Sequence, residues 1–307
     1  MRNPVSNFHR TLLLSAMCGL ASIASAAPPA ALPFTLPPLV QPASKEHHPG
    51  KVVWADLVTP NVPAAKTFYG GLFGWTFKDI STGARDYSVA MAGSDPVAGI
   101  IERAAHQGAP RQPNWLTFIS VKDVGRAQKV VLAHGGKVLS SPRNYPQRGR
   151  QAVFADPQGA VFAVLQSSGG DPRDELADPG EWIWSSLLSH DAEAEAAFYQ
   201  DIFGYEVFDP ADEEGASHLV LATDNYARAS ANTLPADAHG LPPHWLNFIR
   251  VLSAKDVAAK AESLGGRVLV QPHPDRHGGM TAVIADPAGA PFGLLEWTQA
   301  DSKEVAQ

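Results

Sequence analysis

The chain reads as an α+β protein of two tandem modules, each built from paired β-α-β-β-β units. Two periods lead there, and the length agrees with them. Trp54, Phe68-Tyr69 and Phe73-Gly74 return as Trp184, Phe198-Tyr199 and Phe203-Gly204, each 130 positions later. The offset holds through Trp115-Leu116 and Trp245-Leu246, Gly135-Gly136 and Gly265-Gly266, Asp156-Pro157-x-Gly159 and Asp286-Pro287-x-Gly289. A period this long exceeds any solenoid unit, so each copy is a domain-sized module. Within a module the pattern restarts: Trp54 to Trp115 and Gly74 to Gly135 are both 61 positions apart. A chain of 307 residues, at roughly 150 per domain, agrees with two domains.

The N-terminus is a separate object. Arg2, His9 and Arg10 precede an apolar run, Thr11 to Ala24, that ends in Ala24-Ser25-Ala26. This is the pattern of a secretory signal peptide cleaved after Ala26. The run falls short of the ~20 residues of a membrane span. A lipoprotein anchored at Cys18 is the alternative, and bulky Met17 sits badly where that processing wants a small residue. Cleavage removes two arginines and Cys18, the only cysteine, taking the net charge from −7 to −9. The expected mature protein is periplasmic or secreted, free of the membrane, and without disulfide or thiolate chemistry. Residues 27–50 hold seven prolines and no apolar period, which predicts a stiff extended spacer. His47-His48 within it reads as part of a solvated tail.

Module one spans 51–167. Val52 to Val58 is apolar and β-branched, a strand bounded by Thr59-Pro60. Asn61 caps a helix with Pro63 in its first turn, and Ala65, Phe68 and Leu72 share one face until Gly74 stops it. Strands follow around Tyr87–Met91 and Val97–Ile101. Trp115 to Val121 opens the second unit. Asp123 caps a helix facing inward with Val124, Ala127 and Val131, and Gly135-Gly136 ends it in a left-handed turn. Val138-Leu139, Gln151–Ala155 and Ala160–Leu165 are strands, the last pair joined by the tight turn Asp156-Pro157-Gln158-Gly159. Residues 168–180, rich in Asp, Pro and Gly, form a linker. Module two, 181–298, repeats the scheme, with Asp191 capping the stripe Ala194, Phe198, Ile202; residues 299–307 are a tail.

The Phe-Tyr helix, the Phe-Gly stop, the Gly-Gly after the second helix and Asp-Pro-x-Gly before the last strand, in this order and twice, resemble the vicinal oxygen chelate superfamily. That group includes glyoxalases, bleomycin-resistance proteins and extradiol dioxygenases. In detail the chain is similar to tandem glyoxalase-like proteins whose modules begin with a Trp-x-Asp-Leu strand, here Trp54-Ala55-Asp56-Leu57. The resemblance implies that each module curls its sheet into a cup, and that enzymes of the family hold a divalent metal in it. Such a Lewis acid suits substrates chelating through two neighbouring oxygens. Aligned on the motifs, three implied ligand positions fall on Trp54, Leu116 and Ala163 in module one, and on Trp184, Leu246 and Gly293 in module two. None of these side chains binds a metal. The fourth position lies near Ala98–Glu102 and around Ala227–Ala231, where loop lengths prevent alignment.

Candidate ligand-binding residues follow from strand parity. Asp56 lies two residues from Trp54 and shares its face, as Ser186 does with Trp184. Asn114 and His244 sit two residues before the Leu positions, near the rim. His218 belongs to a middle strand, with Tyr87 at the equivalent point. Trp54 and Trp184 read as wall, able to stack on a planar ligand. His273 and His277 read as an exposed loop, and the Asp-Pro-x-Gly turns as turn chemistry.

No Ser/His/Asp arrangement, phosphate-cradling glycine loop or basic cluster for nucleic acid appears. The expected function is binding of a small organic molecule in one or both cups, with no cofactor and without the family's metal. The expected partner arrangement is module–module pairing within one monomeric chain. The first rival is a metal-dependent lyase, isomerase or dioxygenase with ligands shifted to Asp56, His218 or His244 and an acid as base. The second is a structural or interaction module whose cups are filled by its own Trp and Leu side chains.

Overall fold

The computed structural model describes residues 35–81, 86–102, 113–210, 218–234, 238, 240–275 and 278–297. The proposed signal peptide and His277 lie outside them. Module one runs β1 (Val52–Thr59), α1 (Val62–Phe73), β2 (Thr76–Ser81), β3 (Asp86–Ala92), β4 (Asp95–Glu102), β5 (Asn114–Ser120), α2 (Val124–Ala133), β6 (Lys137–Tyr145), β7 (Gly149–Ala155) and β8 (Val161–Ser167). Module two runs β9 (Trp182–Ser189), α3 (Ala192–Phe203), β10 (Glu206–Phe208), β11 (His218–Thr223), β12 (Tyr226–Thr233), β13 (His244–Val251), α4 (Ala254–Ser263), β14 (Arg267–Pro274), β15 (Met280–Ala285) and β16 (Pro291–Glu296). The expected strands and helices are present. β2 and most of β6 carry no apolar strand signal in the sequence, because both alternate polar side chains and expose much of their length.

Local signals place the helices. Asn61, Asp123, Asp191 and Ser253 each accept a backbone N–H of their own first turn. Gly74 and Gly204 close α1 and α3 in the left-handed region, at φ 75° and 78°. Each module is one eight-stranded sheet, ordered β2-β3-β4-β1-β5-β8-β7-β6 and β10-β11-β12-β9-β13-β16-β15-β14. The two units meet where β1 runs antiparallel to β5 and β9 to β13. Alternation sends Ala55 and Leu57 of β1 to the helix side and Trp54 and Asp56 to the concave side.

The helix-side cores are shared between modules. One joins Ile119, Val124, Val131, Phe154 and Phe162 to Leu187, Phe198, Tyr199, Ile202 and Leu221. The other joins Leu57, Phe68, Tyr69 and Leu72 to Ile249, Val251, Ala258, Phe292 and Leu294. Thr117 Oγ1 donates to Asn247 Oδ1 at 3.0 Å across 130 positions. Equivalent positions touch only at an axis, so a pseudo-two-fold passes there.

The repeated motifs are the bolts of this arrangement. Tyr199 OH donates to Asp156 Oδ2 at 2.9 Å and accepts Trp245 Nε1 at 2.9 Å. Reciprocally, Tyr69 OH reaches Asp286 Oδ2 at 3.4 Å and accepts Trp115 Nε1 at 3.0 Å. Asp156 Oδ1 meanwhile takes the N–H groups of Gly159 and Ala160, which fixes its turn. Burial holds both tyrosines well above their ordinary pKa, so they stay donors. Beside Asp156, burial and that neighbouring carboxyl push Glu195 up to about 8. It carries a proton at neutral pH, where two buried carboxylates would repel. Ala65 stands at the other junction, which lacks this pair.

The proline-rich segment departs from expectation. From residue 35 on it is not a solvated spacer: Leu36 and Leu39 are buried in the concave cluster of module one. His48, read as solvated, is largely buried, with its N–H donating to Asp171 Oδ2 at 2.8 Å and its ring 3.6 Å from Asp174. The segment's two leucines supply the apolar surface that prolines alone lack.

Candidate functional site

The two concave faces are chemically unequal. In cup 1, β1 brings Trp54, Asp56 and Val58, with Gly99 beside Asp56 on β4 and Leu116 opposite on β5. Tyr87 on β3 pairs with Ile101. Asp56 Oδ1 accepts both Trp54 Nε1 and Tyr87 OH at 2.8 Å. A Cβ at Gly99 would come within 2.0 Å of Asp56 Oδ1 and of Tyr87 OH, so only glycine admits this pair. Burial pushes the Asp56 carboxyl up, against the pull of Arg148 and the bonds from Tyr87 and Trp54. The guanidinium of Arg148, from the β6–β7 turn, stacks 4.2 Å over Trp54, and Arg148 Nε donates to the Pro37 carbonyl at 2.6 Å. Leu36, Leu39, Trp54, Tyr87, Val89, Phe118 and Leu165 close into one buried cluster. Asn114 is exposed at the rim.

Cup 2 carries a polar ladder instead. Ser186 and Leu188 on β9 pair with Ser230 and Asn232 on β12, and His218 on β11 pairs with Asn232. Trp184, Leu188, Val220, His218, Asn232 and Phe248 keep partial exposure, whereas Trp54 and Tyr87 in cup 1 are buried. His218 Nδ1 lies against Asn232 Oδ1, Asn232 Nδ2 donates to Ser230 Oγ at 3.1 Å, and Trp184 Nε1 donates to the same oxygen at 3.2 Å. Two accepted bonds fill the lone pairs of Ser230, so its own proton goes to Ser186 Oγ, 2.9 Å away. The proton of Ser186 is then left without an acceptor among the described residues. Asn232 turns its carbonyl to His218, and in the imidazole tautomer that donates to it from Nδ1 the lone pair of Nε2 is presented outward. The wall thus offers one donor and one acceptor, two strands across and two residues along the sheet from each other, roughly 12 Å apart at the backbone.

The described residues of these faces do not fit a divalent metal. The implied ligand positions Trp54, Leu116 and Ala163 do face cup 1, and Trp184, Leu246 and Gly293 face cup 2. Beyond lacking a ligand, Gly293 lies under the Phe248 ring, which an added Cβ would meet at 2.0 Å. The registers also resolve the fourth position: Gly99 and Ile101 face cup 1, Ser230 and Asn232 face cup 2, and none is a carboxylate or imidazole. No group of three or more His, Cys, Asp or Glu gathers as a metal site among the described residues. His244, at the rim of cup 2, has its Nδ1 2.9 Å from the Pro242 carbonyl. His273 is exposed.

Every sequence-derived candidate therefore sits on or at the edge of a cup. In module one, Trp54, Asp56 and Tyr87 come together and Asn114 stays apart. In module two, Trp184, Ser186 and His218 join one ladder and His244 stays at the rim. Sequence reasoning missed Ser230, Asn232 and Phe248, which strand parity on β12 and β13 could have found. It also missed Leu36, Leu39 and Arg148. Nothing local marks Arg148, whose counterpart 130 positions on is Gly278.

Paired β-α-β-β-β units, concave sheets and the shared motifs define the glyoxalase/dioxygenase class of fold. Residues 51–164 match the Glyoxalase/Bleomycin resistance protein/Dioxygenase superfamily and residues 186–295 match a glyoxalase-like domain. The chain belongs to that superfamily. It is 31% identical over 259 residues to "Putative glyoxylase CFP32" of Mycobacterium tuberculosis, covering 83% of this chain and 98% of the relative. It is also 31% identical to the anthracycline biosynthesis protein DnrV of Streptomyces peucetius, covering 81% and 94%. Among solved structures, the Mn(II)-bound glyoxalase from Novosphingobium aromaticivorans matches with TM-score 0.57 at 17% identity, covering 81% of this chain and 83% of that one. The 2,3-dioxygenase LapB from Pseudomonas sp. KL28 matches with TM-score 0.57 at 14% identity, covering 82% and 93%. These two likenesses concern the fold.

Proposed function

We propose that this protein binds a planar, oxygen-edged small molecule in cup 2, through hydrogen bonds and aromatic contact rather than through a metal. The observation carrying this reading is the ladder His218–Asn232–Ser230–Ser186, which ends in a free acceptor and a free donor. Their backbone separation of roughly 12 Å, two strands across and two residues along, favours a polycyclic ligand over a three-carbon one. Trp184 and Phe248 supply flat apolar surface for its rings. The likeness to proteins of anthracycline biosynthesis, whose name implies fused aromatic rings bearing hydroxyl and carbonyl groups, supports the same class.

Alizarin, a dihydroxylated anthraquinone, is a suitable probe. Titrated into the full chain, it should quench tryptophan fluorescence with a saturable isotherm. His218→Ala or Asn232→Ala should each weaken binding about tenfold, the cost of one lost hydrogen bond near 1.4 kcal/mol. Tyr87→Phe, in cup 1, should leave it unaltered. Affinity indifferent to both cup 2 substitutions removes the proposal.

The same reading places the mature protein outside the cytoplasm, on the strength of residues 1–26, and as a monomer with its modules paired internally. Intact mass of the exported protein would then start at Ala27; a mature chain retaining Met1 contradicts export.

A further inference from the structure

We propose that cup 1 is a second binding site, for a hydrophobic carboxylate, which residues 35–40 occupy as a displaceable internal plug. The proposal is independent of the reading of cup 2. The plug sits as a ligand would. Leu36 and Leu39 lie in the concave cluster with Trp54, Tyr87, Val89 and Phe118, and the Pro37 carbonyl meets Arg148 Nε. Among the described residues module two has no counterpart: 130 positions beyond residues 36–39, the chain is finishing β8.

The ligand class follows from what the plug leaves undone. Arg148 is 2% exposed, and its Nη2 has no hydrogen-bond partner among the described residues. Nε and Nη2 form one edge of the guanidinium, the pair of donors that a carboxylate takes bidentately. A peptide carbonyl satisfies only half of that edge. A carboxylate would satisfy both donors, leave the stacking on Trp54 in place, and let its apolar body replace the two leucines. Asp56 offers little resistance: its Oδ1 is held by Trp54 and Tyr87, and burial already favours its neutral form.

Displacement is local. From Ser44 on, the segment is fastened to the linker: Ser44 Oγ donates to the Asp171 carbonyl, Lys45 N–H to the Gly169 carbonyl, and His48 N–H to Asp171 Oδ2. Only the six residues upstream of 41 need leave. Burial of two leucines and the ordering of six residues are opposing terms of similar size, so the plug can be exchanged.

Anthracene carboxylate, with anthracene methanol as its neutral counterpart, tests this on the full chain by fluorescence titration. The double variant Leu36→Ser/Leu39→Ser should bind the carboxylate in cup 1 at least about tenfold more tightly than the parent, whose plug competes for the site, and bind little of the alcohol. Adding Arg148→Gln should weaken that binding at least about tenfold, as expected for a lost charge-assisted pair. A free peptide of residues 35–40 should compete for it. Equal cup 1 affinity in parent and double variant, or cup 1 binding insensitive to Arg148→Gln, overturns the proposal. Should the variant not fold, hydrogen exchange on the parent decides. Saturating carboxylate should speed exchange at residues 36, 39 and 40, and unchanged rates contradict the plug.

Discussion

Expressed without its partner module, the segment 181–298 will fail to form a stable monomer. Each helix-side core takes half its side chains from the other module. Removing module one uncovers Phe198, Tyr199, Ile202, Phe203, Ile249, Val251, Phe292 and Leu294, all buried in the full chain. Complete burial of such a side chain is worth about 1.5–3 kcal/mol. If half of that comes from the partner module, eight of them lose about 6–12 kcal/mol, comparable to the whole stability of a domain. The bolts are lost as well: Tyr199 loses Asp156, and Asp286 loses Tyr69. The fragment should dimerise, so that a second copy supplies the missing faces, or precipitate. Light scattering with thermal melting distinguishes these, and a monomer melting with the full chain would refute the shared core.

Asp171→Ala should be the most damaging single substitution outside the cores. Asp171 lies in the stretch that composition marked as a linker, yet it is completely buried. Its carboxylate accepts Ser120 Oγ and Ser167 Oγ at 2.6 Å and His48 N–H at 2.8 Å. Its own N–H donates to the Glu46 carbonyl at 2.7 Å. One acidic group thus ties the proline-rich segment to two strands of module one. Truncation strands three buried donors at about 1–3 kcal/mol each, so a loss of about 3–5 kcal/mol is expected after relaxation. For a protein of this size that lowers the melting temperature by about 10 °C. Asp171→Asn, which keeps one acceptor oxygen, should lose less. A shift of only a degree or two for the alanine variant would mean that the segment is merely laid on the surface.

Much of the fold was legible because its signals are periodic and local. The 130-residue repeat is a property of the sequence alone, and Asn61, Asp191, Gly74 and Gly204 act within their own turns. Strand parity likewise put Asp56 and Ser186 on the same faces as Trp54 and Trp184. What escaped depends on contacts between distant segments. Leu36 and Leu39 look like two apolar residues among prolines until a cup more than a dozen residues away receives them. Arg148 sits in an ordinary hairpin turn, and its meaning comes from Trp54, 94 positions earlier. Asp171 looks like linker polarity until Ser120 and Ser167 converge on it. The Asp-Pro-x-Gly motif was rightly read as turn chemistry, but its second oxygen serves the other module's tyrosine, which no local pattern reveals.

On the reading proposed above, the cups work without the superfamily's metal. The support for this is the set Trp54, Leu116, Ala163 and Trp184, Leu246, Gly293 on the concave faces, with Phe248 lying over Gly293. Tight protein sites draw three or more side-chain ligands, and among the described residues neither face assembles them. The purified full chain should be incubated with manganese, iron, nickel and zinc in turn, dialysed, and its metal content measured. Well under one equivalent of each per chain is expected, with a melting temperature unmoved by chelator. One equivalent that survives dialysis and is lost in Asp56→Ala or His218→Ala would contradict it and return the protein to the metal-dependent enzymes.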